Sequence, residues 1–156
     1  MADETRTIAD SRVILTHLMG PPEANVLGNV HGGVIMKLVD EAGALAAMRH
    51  ARAPVVTVAI DSMTFLEPIL VGAFVTVQAE LTHAGRTSME VRAEVVAENP
   101  ITGAKKHTNT AYLVYVSVDS TGKPSPIPKL VATTPQESAA MQAARERQER
   151  RVKNQR

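Results

Sequence analysis

From Gly33 to about Ala51 the chain runs without proline. Val34, Leu38, Glu41, Leu45 and Met48 fall on one helical stripe, and Gly33, Lys37, Asp40, Ala44 and Ala47 on another. This spacing predicts a helix buried nearly all round, with small residues (Gly33, Gly43, Ala44, Ala47) that let another backbone or a ligand approach Asp40. After Pro54 the period changes. VVTVAIDSMTF is rich in β-branched residues and EPILVG supplies a bend. Val75, Val77, Ala79 and Leu81 then alternate with Thr76, Gln78, Glu80 and Thr82, and HAGRTS reverses the chain around Gly85. Met89, Val91, Ala93, Val95 and Ala97 alternate with Glu90, Arg92, Glu94 and Glu98 before NPITG turns it again. Tyr112 to Val118 is apolar on both faces, which predicts a strand that is central or covered on both sides.

Upstream, SRVILTHLM at residues 11–19 suits a first strand and PPEANVLGN a loop. A strand, a helix and four strands joined by short turns favour one antiparallel sheet packed around one helix, an α+β arrangement. Near the end Thr134 is a cap, Pro135 suits the first helical position and Glu137 completes a capping box, predicting a helix from Pro135 to about Val152. Its charged half is expected to be a solvated face or frayed end.

Length adds one constraint: 156 residues suit a single domain with its own core. Seventeen Lys and Arg against sixteen Asp and Glu leave a net charge of +1, so nothing global points to nucleic acid or a membrane surface. The bias is local, with net +3 from Gln136 onward. The absence of cysteine excludes disulfides, thiolate metal sites and a cysteine nucleophile. MADETRTIADS lacks the order of a signal peptide, and the uncharged run in the middle of the chain, Pro68 to Ala79, is too short to span a bilayer. The expectation is a soluble, cytoplasmic protein. The five histidines show no metal-ligand spacing, and His50 is expected to act as a helix-dipole partner or surface residue.

The chemistry concentrates on Asp40. A carboxylate on an apolar helix costs free energy unless it is paired, hydrogen-bonded or protonated. Lys37 and Glu41, four apart, supply one structural explanation, a charged corner that Asp40 shares. Just before the helix, His31, Gly32 and Gly33 offer another. The first N–H groups of a helix lack internal partners and carry partial positive charge, so a glycine there lets a carbonyl becoming an oxyanion approach the backbone. Gly32 and Asp40 are separated by ~12 Å of helix, too far to serve one carbonyl. Two antiparallel copies of the helix bring Gly32 of one subunit to Asp40 of the other, so an active site here is expected to be shared across a dimer.

The run N-x-x-G-x-x-H-G-G-x-x-M-x-x-x-D, formed by Asn25, Gly28, His31, Gly32, Gly33, Met36 and Asp40, resembles the signature of hotdog-fold acyl-CoA thioesterases. Within them it is most similar to the YciA-like and cytosolic long-chain acyl-CoA hydrolase group. The resemblance continues through VVTVAIDSMTFLEPILVG and HAGRTSMEV, covering roughly residues 10–131. It implies a hotdog domain over residues 1–133, a long central helix wrapped by a five-stranded antiparallel sheet, with a charged C-terminal helix or tail over 134–156. It further implies hydrolysis of acyl-CoA to free fatty acid and CoA without a cofactor, by a homodimer assembled further into a trimer of dimers. Carried over by position, Asp40 is the general base or nucleophile, Gly32 the backbone oxyanion donor and Asn25 a positioning group. His31 is expected to fix the loop by hydrogen bonding, with Gly33 in support. CoA is expected on Gly85, Arg86, Thr87 and Ser88, where Arg86 can pair phosphate, with Lys129 as a further phosphate contact. Arg86 also has a bland reading, as a turn residue opposite surface glutamates.

Such a sparse site suits a thioester. Its thiolate leaving group has a conjugate-acid pKa of about 8.5, taking cysteine as proxy, and departs without a dedicated strong acid. A Ser-His-Asp arrangement of Ser62, Asp61 and His17 or His83 is therefore not required. Two other readings stand beside hydrolysis: a hotdog module that binds acyl-CoA without cleaving it, and a hotdog dehydratase, which is disfavoured because the dehydratase pattern's histidine near the helix start is missing. Met36, Leu38, Met48, Met63 and Phe65 are candidates for an acyl tunnel or for plain core.

Overall fold

A computed structural model describes residues 4–61 and 63–155 of the protein. Its elements are β1 (Thr5–Thr7), α1 (Ile8–Ser11), β2 (Val13–Leu18), α2 (Gly32–Ala51), β3 (Val55–Ile60), β4 (Phe74–Ala84), β5 (Ser88–Glu98), β6 (Lys105–Ser117), β7 (Lys129–Val131) and α3 (Pro135–Asn154). Five strands form one antiparallel sheet in the order β2-β4-β5-β6-β3, curled around α2 in the hotdog arrangement.

Alternation explains how the sheet finds its helix. Val75, Val77, Ala79 and Leu81 of β4 and Met89, Val91, Ala93 and Val95 of β5 share the inner face and are fully buried. Against them α2 packs Ile35, Leu38, Val39, Ala42, Ala46 and Ala47. Each large apolar side chain so buried contributes about 1.5–3 kcal/mol, which keeps α2 seated along its length. β6 lies between β5 and β3, with its inner face on α2, so its two-sided apolar pattern matches its place.

Several details differ from the sequence reading. α2 is not buried all round: Met36, Leu45 and Met48 are exposed, and so are Val56 and Val58 on the neighbouring edge strand β3. Its buried stripe is the one through Ile35, Val39, Ala42 and Ala46, because that face meets the sheet. His50 is neither on the surface nor a mere dipole partner. It is fully buried, with Nε2 2.8 Å from the Pro128 carbonyl, and burial pushes its pKa down. β1 and β7 pair in parallel as a second small sheet that the polar N-terminal sequence did not signal. Thr7 and Asp10 exchange capping-box bonds at α1.

The charged half of α3 also departs from expectation. Thr134 caps the helix, accepting from the Glu137 N–H at 3.1 Å, while the Glu137 carboxylate bonds the N–H and hydroxyl of Thr133. Farther along, Arg147 and Arg151 fold back onto the outer face of the sheet and pair with Glu90, which is only 1% exposed. Among the described residues no helix is long and apolar enough to cross a membrane.

Candidate active site

Asp40 lies two turns into α2, half-buried, facing the far end of the sheet's inner surface. Two hydroxyls hold its Oδ1: Thr57 of β3 donates at 2.9 Å and Tyr115 of β6 at 3.0 Å. Thr57 and Tyr115 are direct cross-strand partners, so one register point of the β3–β6 pair delivers both donors. Among the described residues Oδ2 accepts no hydrogen bond, leaving one carboxylate oxygen available.

Burial, and secondarily the Asp40 carboxylate, pushes the Tyr115 phenol well above its ordinary pKa, so it stays a neutral donor. Its hydroxyl also donates to the Asp40 carbonyl at 3.1 Å. Gly43 makes room for this: a Cβ there would collide with the Tyr115 hydroxyl. The small residue beside Asp40 thus admits a side chain of the same protein. Lys37 and Glu41 do approach at 3.9 Å, on the exposed side of α2, and Asp40 takes no part in that pair.

At the N-terminus of α2 the His31 Nδ1 accepts the Gly33 N–H at 2.8 Å, and the His31 N–H donates to the Glu23 carbonyl at 2.8 Å. His31 is therefore a helix cap that fixes the preceding loop, and it occupies the Gly33 donor. The Gly32 N–H has no acceptor among the described residues. Asn25 folds the loop by accepting Leu27 N–H at 2.9 Å and Asn29 N–H at 3.1 Å on its side-chain oxygen, which leaves its NH₂ group unused among the described residues. Asn25 and Gly32 line one cavity of about 290 Å³ with Ile35, Phe65, Leu66 and Ile69. Phe65 stands over Gly32, its ring 3.5 Å from where a Cβ would be. Of the tunnel candidates only Phe65 reaches this cavity. Leu38 is core, while Met36 and Met48 are exposed on α2.

Gly32 and Asp40 are thus held apart in one chain, in separate surroundings. Asp40 instead lies one turn along α2 from the exposed Met36.

The hairpin turn between β4 and β5 is closed by the Gly85 N–H to the Ser88 carbonyl at 2.8 Å. The carbonyls of Arg86 and Thr87 accept from Ile127 and Ser117, at 3.0 and 2.9 Å. This stitching lays the segment carrying Lys129 beside the turn. The Arg86 guanidinium is exposed and has no ion-pair partner among the described residues, so the glutamates do not claim it. Ser62 lies outside the described residues, and Asp61 is taken up by Arg151. No three His, Cys, Asp or Glu side chains among the described residues gather as a metal site.

Thr57 and Tyr115 were not singled out in the sequence. Tyr115 carried a signal, since a tyrosine in a strand buried on both sides needs a partner for its hydroxyl.

Residues 27–104 match the Thioesterase superfamily. The chain is similar to the uncharacterized acyl-CoA thioester hydrolase YkhA of Bacillus subtilis, 36% identical over 152 residues that cover 95% of this chain and 88% of that protein. The likeness therefore reaches into α3, beyond the motif-bearing residues. The crystal structure of an apo-hexameric acyl-CoA thioesterase superposes with a TM-score of 0.92 at 39% identity, covering 97% of each chain. An acyl-CoA hydrolase of Staphylococcus aureus, solved in complex with butyryl coenzyme A, coenzyme A and coenzyme A disulfide, superposes with a TM-score of 0.89 at 30% identity, covering 97% of this chain and 92% of that one. Structures of that hydrolase include variants with an aspartate, an asparagine or a threonine replaced by alanine.

Proposed function

The chain belongs to the thioesterase superfamily, and on that premise we propose that it hydrolyses acyl-CoA thioesters to free acid and CoA in a site completed by two subunits. The observation that carries this reading is the tethered Asp40 carboxylate, with Oδ1 fixed by two hydroxyls and Oδ2 open.

Asp40 acts on the carbonyl carbon in one of two ways. As a general base its Oδ2 takes a proton from water as the water oxygen bonds to that carbon; as a nucleophile Oδ2 attacks directly. The carbonyl oxygen gains the negative charge and is met by the Gly32 N–H of a second subunit, with the Asn25 NH₂ positioned to hold the carbonyl or the water. Collapse breaks the C–S bond and releases CoA thiolate, which takes up a proton; on the nucleophilic route the acyl group stays on Oδ2 as an anhydride, which water then cleaves to the free acid and the Asp40 carboxylate. Thr57 and Tyr115 keep Oδ1 engaged so that Oδ2 faces the substrate. Arg86, with Gly85, Thr87, Ser88 and Lys129, holds the CoA phosphates, supported by the unpaired guanidinium and by the stitching of the two segments.

Two further points support the shared site. The exposed Met36, one turn along α2 from Asp40, suits burial against a second copy, and the apo thioesterase that this chain resembles is a hexamer, in keeping with a trimer of dimers. In the Staphylococcus aureus hydrolase the replaced asparagine, aspartate and threonine have the same sequence spacing as Asn25, Asp40 and Thr57.

Thiol release from acyl-CoA over a range of chain lengths tests the reading. Asp40→Asn is expected to lower kcat by about 10²–10⁴ with the assembly intact. Wild-type rates in that variant, or tight acyl-CoA binding without any thiol release by the native protein, would overturn it.

A further inference from the structure

We propose that Phe65, held over Gly32 by Asn109 through the Thr64 carbonyl, is a specificity-determining wall of the acyl pocket. It favours straight acyl chains over chains branched at the carbon next to the thioester carbonyl. The inference rests on the hydrolase reading of Gly32 and Asp40 and names the acyl class that the same site selects.

The inner face of β6 supplies the first observation. Asn109, Ala111, Leu113 and Tyr115 form its inward row, opposite the buried Val95, Ala93, Val91 and Met89 of β5. Two of the four are polar, and a buried polar group needs a partner. Tyr115 finds Asp40. Asn109 stands at the other end of the row and is only 2% exposed. Its Nδ2 donates to the Thr64 carbonyl, while its Oδ1 accepts nothing among the described residues. The one hydrogen bond of this buried amide therefore goes to the segment that carries Phe65.

That segment is fixed at both ends. Holding the Thr64 carbonyl orients the planar peptide that leads into Phe65. Farther on, the Ile69 carbonyl accepts the Val30 N–H at 2.8 Å, which ties the segment to the loop before α2. Phe65 is thus suspended between β6 and the start of the helix, its ring 3.5 Å from where a Cβ on Gly32 would stand.

A carbonyl oxygen accepting the Gly32 N–H sits about 2.9 Å from that nitrogen, so the carbonyl carbon and the two groups it carries lie beside the ring. One group is the sulfur, leading to a pantetheine arm whose amides need hydrogen-bond partners. The other is the acyl chain. The cavity beside Gly32 presents Val30, Ile35, Phe65, Leu66 and Ile69, an apolar lining that suits the chain. Its volume of about 290 Å³ leaves little room to pass around the ring. A methyl on the second carbon of the chain meets Phe65 where a straight chain presents only hydrogen. A methyl on the third carbon lies beyond the ring.

The test measures kcat/KM for thiol release from a straight acyl-CoA and from its 2-methyl and 3-methyl derivatives. It compares the native chain with Phe65→Ala, Asn109→Leu and the double variant. The native protein is expected to cleave the 2-methyl substrate about 10- to 200-fold less well than the straight one, with far weaker discrimination against the 3-methyl substrate. Phe65→Ala should cut the 2-methyl discrimination by about tenfold or more and hardly move the 3-methyl ratio. The lower intrinsic reactivity of a hindered carbonyl is common to all variants and cancels in this comparison. Asn109→Leu, similar in size but without the donor, should cut the discrimination in part. It should add little in the Phe65→Ala background, as expected of two residues that act through one contact. Should Asn109→Leu fail to fold, Asn109→Ser, too short to reach the Thr64 carbonyl, replaces it. Discrimination unchanged by Phe65→Ala would overturn the wall, and full additivity of the two variants would overturn the part given to Asn109. A native protein that releases no thiol would instead defeat the hydrolase reading, and the same ratios taken from dissociation constants of the three acyl-CoAs would still decide the wall.

Discussion

At the scale of single residues, two hydroxyls on one oxygen of Asp40 give a carboxylate a fixed direction. A side chain on a half-exposed helix face rotates about two torsions, and a hydrogen bond to a charged group contributes about 1.5–3 kcal/mol toward one rotamer. Tyr115 is suited to this because its raised pKa keeps the proton on the phenol throughout any working pH range. Tyr115→Phe is accordingly expected to lower kcat by about tenfold with little change in KM, since a mis-aimed base is felt mainly in the chemical step. An unchanged kcat would show that Thr57 alone suffices. Asp40 and Gly32 were legible in the chain because each breaks a local rule: a charge in an apolar helix, and a Gly-Gly at a helix start. Thr57 and Tyr115 break none. Their role comes from a cross-strand register between segments almost sixty positions apart, and no local pattern encodes it.

At the scale of elements, the alternation of β4 and β5 and the cap of α3 were readable because both are local. The function of α3 was not. Glu90 occupies a polar position of an alternating strand and reads as solvent-facing, while Arg147 and Arg151, four apart on one helix face, read as solvated charges. Packing reverses both readings by laying the arginines over the glutamate. Burial pushes the Glu90 pKa up, but the hydrogen bonds from Arg147, Thr82 and Arg151 outweigh it and the net shift is downward. A depressed carboxylate favours the folded state fully above the ordinary carboxylate range, and that contribution is lost as pH falls through its lowered folded-state value. Acid is therefore expected to release α3 before the core melts. Glu90→Gln should destabilise the protein at neutral pH by about 3–5 kcal/mol, as breaking a buried pair does. Hydrogen exchange of α3 during an acid titration, with denaturant unfolding of the variant, checks both. An α3 that stays protected until the sheet itself unfolds would contradict a role for the Glu90 charge in seating α3.

At the scale of the whole molecule, the two halves of the candidate site lie on one helix but too far apart to meet, and Met36, one turn from Asp40, is exposed. The fold class and the central helix followed from the sequence, and so did the expectation of a second copy at the site, because the rise of a helix is fixed whatever surrounds it. The exposure of one face of α2 did not follow: a helix apolar all round gives no sign of whether sheet or subunit covers each side. Gly32 allows a decisive substitution. It is the first residue of α2 after an extended His31, the position where proline is compatible with both the helix and the residue before it, so Gly32→Pro deletes the donor while keeping the backbone path. It is expected to lower kcat by about 10²–10³.

The most direct measurement mixes Gly32→Pro with Asp40→Asn, each nearly inactive alone, by dissociating and reassembling them in equal amounts. If Asp40 works with the Gly32 of its partner, each mixed dimer regains one intact site, and random pairing restores about a quarter of wild-type thiol release. Activity no higher than that of the two separate variants would contradict the shared site.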